Sequence, residues 1–166
     1  MKMNLKLGLL LALFLFATVA QARVKVDFDA NADFTQYKTY AWEKGTPAAD
    51  PIAQRRIERA VAEQLEAKGL RETTGTPDLY VTTHAAVKEK KAYSYVNLGY
   101  SDPFMEKEMV ETIARGTLQV DLLDRKSKRV VWRAEATKTL SDNPERNARL
   151  VKKVTAQMFK RFPPRQ

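Results

Sequence analysis

The chain contains no cysteine. That absence excludes disulfides, thiol catalysis and lipid attachment through an N-terminal cysteine. Histidine is nearly absent as well, with His84 as its one representative. Zinc sites draw on several His or Cys ligands, which this chain does not offer. There is no Gly-x-Ser-x-Gly elbow, no phosphate-cradling glycine loop and no dinucleotide fingerprint. Long apolar runs are scarce too. The single one, Leu7–Ala17, is shorter than the about 20 residues a permanent membrane span requires.

That run has a context of its own. Lys2 and Lys6 precede it with no acid nearby, and Ala20-Gln21-Ala22 follows with small residues at A-x-A spacing. This is the layout of a secretory signal peptide, with cleavage expected between Ala22 and Arg23. The expectation is an exported, soluble periplasmic protein with no permanent membrane span after the signal is removed. The alternative is membrane association through an uncleaved signal. Residues 23–166 then form one α+β domain of ordinary size. Without disulfides, its core alone must hold it together.

After residues 1–22 the chain holds 27 Lys or Arg against 20 Asp or Glu. The excess is concentrated at the end. From Pro144 onward stand Arg146, Arg149, Lys152, Lys153, Lys160, Arg161 and Arg165, opposed by Glu145 alone. A basic helix there would suit an anionic partner. For an exported protein that means an envelope protein, an anionic envelope polymer or lipid head groups, and not nucleic acid. The same charges also serve as the solvated face of an amphipathic helix.

Periodicity supplies the elements. Val24, Val26 and Phe28 alternate with polar residues as a half-buried strand, and Tyr40 and Trp42 flank Ala41 in a second, short one. Asp50-Pro51 opens a helix whose stripe is Ile57, Val61 and Leu65, and Gly69 closes it with Leu70 folding back. Arg59 and Glu63 are spaced for a surface pair. Strands follow on Leu79–Val87, around Leu118–Leu122 and on Val130–Ala136. Asn143-Pro144 repeats the helix-start device, with Val151, Val154, Met158 and Phe162 as the apolar stripe, running to about Arg161. The order β-β-α-β-β-β-α predicts a two-layer α+β sandwich, a mixed and mostly antiparallel sheet with both helices on one face. The first strand is expected to pair in parallel with the strand at Leu79. The other face would bear Lys25, Asp27, Tyr80, His84, Gln119, Asp121, Arg133 and Glu135.

Several residues invite functional readings. Asp27 and Asp29 lie two apart, close enough to share a hard cation, and Asp121 and Asp124 offer a similar pair, but neither resembles a calcium loop, and capping and solvation are the better reading of both. Phe34, Tyr37, Tyr40, Trp42 and Trp132 fit core packing better than a ligand-stacking box. Lys88–Pro103 is either a long loop or an extended hairpin. Its cluster of Tyr93, Tyr95, Tyr100 and Phe104, flanked by Lys88, Lys90 and Lys91, is a candidate binding element. Arg146, Arg149, Lys153 and Lys160 form a second candidate surface. No catalytic set, metal site or cofactor is expected.

Val24–Asp29 with Asp33–Trp42, Lys68-Gly69-Leu70 with Pro77-Asp78-Leu79, Gly116–Asp124, Arg129–Arg133 and Phe162-Pro163-Pro164 occur in an order that resembles the bacterial envelope family known as domain of unknown function 4136. The resemblance implies an exported protein. Most such proteins are outer-membrane lipoproteins of Gram-negative bacteria, with no established activity and no catalytic residues to carry over. This chain departs from the pattern by lacking the lipidated cysteine, which favours a free periplasmic form. It also has Ser127-Lys128 where a glycine is common in the hairpin turn. The leading functional expectation is a non-catalytic binding or envelope-assembly module. The alternatives are a hydrolase acting on an envelope polymer through Asp27, Asp121 and His84, and an envelope stress protein that binds anionic lipid.

Overall fold

A computed structural model describes residues 23–97 and 106–164. The expected leader and Ala22 lie outside the described residues, as do Tyr100 and Phe104; Arg23 is the first residue of β1. The elements are β1 (Arg23–Phe28), a 3₁₀ turn (Phe34–Gln36), β2 (Thr39–Trp42), α1 (Pro51–Ala67), β3 (Arg71–Glu72), β4 (Leu79–Asn97), β5 (Glu106–Asp124), β6 (Val130–Thr139) and α2 (Pro144–Phe159). They build one six-stranded sheet in the order β1-β6-β5-β4-β2-β3. Both helices cover the same face, so the architecture is the α+β two-layer sandwich.

One pairing differs from expectation. β1 runs antiparallel to β6, with Val26 opposite Ala134, and it is β2 that lies parallel to β4, with Tyr40 opposite Leu79. The crossover through α1 therefore starts from β2. Between β1 and β2 the chain crosses from one side of the sheet almost to the other. Four strand spacings are about 19 Å, within easy reach of the ten-residue connection Asp29–Lys38. Crossing under the sheet buries Ala32, Phe34 and Tyr37, which close that end of the core. Phe34 meets Phe162 edge-on at 5.8 Å.

Local chemistry explains the helix limits. The Asp50 side chain accepts from the Ile52 amide, and Pro51 sits where a missing N–H is harmless. At the other end Gly69 adopts φ +86°. Its amide reaches Glu66 O, and the Leu70 amide reaches Leu65 O. This pair of bonds satisfies carbonyls that the helix end would leave open, and it buries Leu70 on the core. Asn143 caps α2 through the amides of Glu145 and Arg146. The helix ends at Phe159, about two residues before the expected end, and adds Phe159 to the expected stripe; its ring packs 4.7 Å from that of Trp132. Glu63 pairs with Lys152 of α2 at 3.6 Å, so the surface pair expected with Arg59 is replaced by an interhelical one. Lys128 takes φ 58° in the β5–β6 turn, the left-handed position where a glycine would be easier. Its ammonium lies 4.2 Å from the centre of the Tyr80 ring, a contact that offsets part of the backbone cost.

The long connection is a hairpin. β4 and β5 pair continuously from Leu79 opposite Asp124 to Asn97 opposite Glu106. No helix among the described residues is long and apolar enough to cross a membrane.

Candidate functional site

Three surfaces hold the residues that sequence reasoning singled out. The first is the uncovered face of the sheet. Register places Asp27, Arg133, Asp121 and Thr82 in one row across four strands, and Lys25, Glu135, Gln119 and His84 in the next. Asp121 is only 3% exposed although it stands on the open face. Its partners cover it. Arg133 donates to both carboxylate oxygens at 2.7 Å, and Gln119 donates to Oδ2 at 3.0 Å. The fork-on-fork geometry is the strongest form of this pair. Asp121 accordingly raises the guanidinium's affinity for its proton.

His84 is held by a neighbouring segment. Gly45 lies against β4 so closely that a Cβ there would stand 2.1 Å from Thr83 O. The Thr46 amide donates to Thr83 O, and Thr46 O accepts from the Ala85 amide. The Thr46 amide also lies 3.2 Å from His84 Nδ1, and the Thr46 hydroxyl 3.0 Å from it. An amide can only donate, so Nδ1 is the acceptor and the ring proton belongs on Nε2. Nε2 stands 4.0 Å from Asp121 Oδ2, beyond hydrogen-bonding reach. The hydroxyl–imidazole–carboxylate sequence of Thr46, His84 and Asp121 thus resembles a relay in order but not in geometry. Its carboxylate is already engaged by Arg133, and its imidazole lone pair faces a backbone amide. Asp27 lies about 10 Å from Asp121, with Arg133 between them, by strand spacing. Asp27 accepts from the Phe28 amide and Asp29 from the Asn31 amide, so both act as local caps. Asp124 does the same for the Ser127 amide, which holds its carboxyl below the usual range. No group of three or more ligating side chains suited to a metal occurs among the described residues.

The second surface is the outer half of the β4–β5 hairpin. β6 pairs with β5 only as far as Arg115 opposite Thr139, with one further bond from the Leu140 amide to Ala114 O. On the other side β2 and the Thr46 bridge reach only to Ala85. Beyond those points the two strands continue as a ribbon paired only with each other among the described residues. Tyr93 lies on it opposite Val110, and the two are 58% and 54% exposed. Met109 and Val87 are similarly exposed. Tyr95 belongs to the same strand. The extended hairpin is one of the two readings the sequence leaves open for Lys88–Pro103. At the foot of the ribbon an apolar cavity of ≈ 170 Å³ opens between the helices and the sheet, lined by Ile57, Ala85, Leu118, Leu140 and Val151 among others. Asn147, which also borders it, is committed to the backbone of Ser141.

The third surface is α2. Arg146, Arg149, Lys153 and Lys160 are exposed. Their spacing of three, four and seven residues keeps them within about 60° of one another around a helix of 3.6 residues per turn. None of the four takes part in an ion pair among the described residues. The four therefore share one side of α2 and its C-terminal cap, with residues 154–159 uncharged between Lys153 and Lys160, and they stand apart from the ribbon's tyrosines in the chain. What sequence reading missed is the Arg133–Asp121 lock and the role of Gly45-Thr46; a glycine two residues before a proline was the only hint of a close approach.

The family model for a domain of unknown function (DUF4136) matches residues 24–164. The chain belongs to the DUF4136 family. No curated protein matches the sequence. Among solved structures, a PDZ domain protein from Parabacteroides distasonis is similar with a TM-score of 0.62 at 18% identity, over 87% of this chain and 36% of that one. The DUF4136 chain thus spans about a third of that protein's length. The PelC dodecamer from Paraburkholderia phytofirmans is similar with a TM-score of 0.55 at 16% identity, over 88% of this chain and 100% of PelC. Both likenesses concern the fold.

Proposed function

We propose that this DUF4136 protein is an exported, periplasmic, non-catalytic binding or assembly module of the cell envelope. The observation that carries the reading is the projecting ribbon. It presents Tyr93, Val110 and Met109 to solvent on strands whose outer edges have no partner among the described residues. Two-stranded ribbons are marginal by themselves and are completed by what they pack against. The leader supports export, and the PelC dodecamer supports the idea that this fold serves in assemblies. The basic stripe on α2 offers a second contact for an anionic envelope protein, polymer or lipid head group.

The test is cross-linking capture from envelope extract with the purified protein, at low and high salt. A partner retained at high salt and lost on Tyr93→Asp points to the ribbon. A partner lost at high salt points to Arg146, Arg149, Lys153 and Lys160, because solvent-exposed charges are screened. No specific partner at either salt removes the proposal.

A hydrolase reading rests on the order Thr46, His84, Asp121. It requires Asp121 to leave Arg133 during turnover. Activity on cell-wall fragments abolished by His84→Ala and by Asp121→Asn would favour it over the assembly reading. Flotation with anionic, but not neutral, liposomes would favour the lipid reading instead.

A further inference from the structure

We infer that the β4–β5 ribbon is a copy-to-copy joint: the β4 edge of one chain pairs with the β5 edge of the next, head to tail, into a closed ring. This rests on the assembly reading and names the partner as a second copy of the same chain.

Three observations lead there. The first is the unpaired backbone. β4 from Ala86 to Asn97 and β5 from Glu106 to Ile113 have outward N–H and C=O groups with no protein partner among the described residues. Exposed edges of that length are templates for strand addition, and proteins usually blunt them with short strands, proline or a covering element. Neither stretch contains proline.

The second is charge. From Lys88 to Asn97, β4 carries Lys88, Lys90 and Lys91 against Glu89. From Glu106 to Ile113, β5 carries Glu106, Glu108 and Glu111 against Lys107. One edge is basic and the other acidic. A two-fold dimer would set β4 against β4 or β5 against β5, placing like charges across the joint, which is unfavourable for directly opposed strand residues. Pairing β4 with a neighbour's β5 sets a lysine-rich stretch against a glutamate-rich one. That contact is heterologous, and heterologous contacts close into rings or run on as filaments. A ring gives one discrete species and a filament a polydisperse one, which the experiment below separates.

The third is the apolar content. Tyr93 and Val110 share one face of the ribbon, and Met109 lies on the other. Added strands on either side would flank them with side chains on the same face. Both faces also carry charge, Glu89 and Lys91 on one, Lys88, Lys90 and Glu111 on the other. Neither face is the continuous apolar band that a lipid-facing barrel strand needs.

The experiment is native mass spectrometry with sedimentation on the purified exported chain. The wild type is expected to form one discrete species larger than a dimer, dissociating as salt rises. Variant K88E/K90E/K91E makes both edges acidic, and variant E106K/E108K/E111K makes both basic. Each alone is expected to be monomeric with an unchanged circular dichroism spectrum, and an equimolar mixture is expected to restore a ring of alternating copies. Should either variant misfold, the Lys→Gln and Glu→Gln triples replace it and are each expected to weaken assembly at least tenfold. A wild type that stays monomeric at high micromolar concentration overturns the inference. So does one that stops at a dimer, assembles regardless of the substitutions or inserts into phosphatidylglycerol vesicles in place of forming a ring. A monomer that still captures an envelope partner removes the ring and leaves the broader reading standing.

Discussion

Asp121 shows how a single side chain changes meaning between sequence and structure. In the sequence it alternates with Val120 and Leu122 as a solvent-facing strand residue. In the fold it is buried beneath Arg133 and Gln119. Arg133→Met leaves that carboxylate buried without its cation. Breaking such a pair costs about 3–5 kcal/mol in a fully buried site. Arg133 is 48% exposed, so water can replace it in part and we expect about 2 kcal/mol in urea unfolding. The reverse holds at Tyr40, whose hydroxyl is buried without a hydrogen-bond partner. Removing an unpaired buried hydroxyl is neutral or favourable. Tyr40→Phe should therefore leave the urea midpoint unchanged or raise it. Neither residue's environment was legible beforehand, because burial on the open face depends on which side chains lie across the strands.

At the scale of elements, the helix limits were legible because capping is a local interaction between near neighbours. Asp50-Pro51, Gly69-Leu70 and Asn143-Pro144 act within a few residues of themselves. Asn143→Ala should cost about 1 kcal/mol, and Gly69→Ala about 1 kcal/mol because of its positive φ. Both are measurable as shifts in the thermal midpoint. The parallel partner of the Leu79 strand was not legible. The β-α-β rule was sound, but it applied to β2, and nothing local shows that Asp29–Lys38 carries the chain across the sheet. Gly45 belongs to the same class. Gly45→Ala would push the Thr46 segment off β4 and release the Nδ1 contact of His84. A change in the His84 ring resonances by NMR, with the core amides unshifted, is the expected outcome.

At the scale of the molecule, stability should follow pH from both sides. Asp33, Asp78 and Asp124 are held below the usual carboxylate range, chiefly by hydrogen bonds from Thr35, the Lys38 amide and the Ser127 amide respectively. Their contribution is present above about pH 4, near the unfolded value, and is lost as pH falls through the lower folded values. Tyr37 and Tyr40 are pushed up to about 12, mainly by burial. The folded state holds those protons longer, so stability should fall from about pH 10 upward. A flat maximum between these limits in thermal unfolding checks both signs. Hydrogen exchange should grade along β4. Leu79–Ala85, flanked by pairing and covered by helices, should exchange only through global opening. The ribbon beyond Val87 should exchange far faster in the dilute monomer and become protected on assembly.

The helix starts and stops, the period-two strands and the clustering of positive charge near the end are properties of neighbours in the chain, and the sequence by itself determined them. The parallel partner of the Leu79 strand, the concealment of Asp121 and the placing of Thr46 beside His84 arise between residues far apart in the chain. Only the tertiary structure decided those. The ribbon stands between the two. Its alternation is written locally, but its edges lack partners among the described residues only because β6 and β2 stop where they do. Neighbour effects act through backbone conformation and can be read one stretch at a time. Partner choice depends on how the whole core is closed.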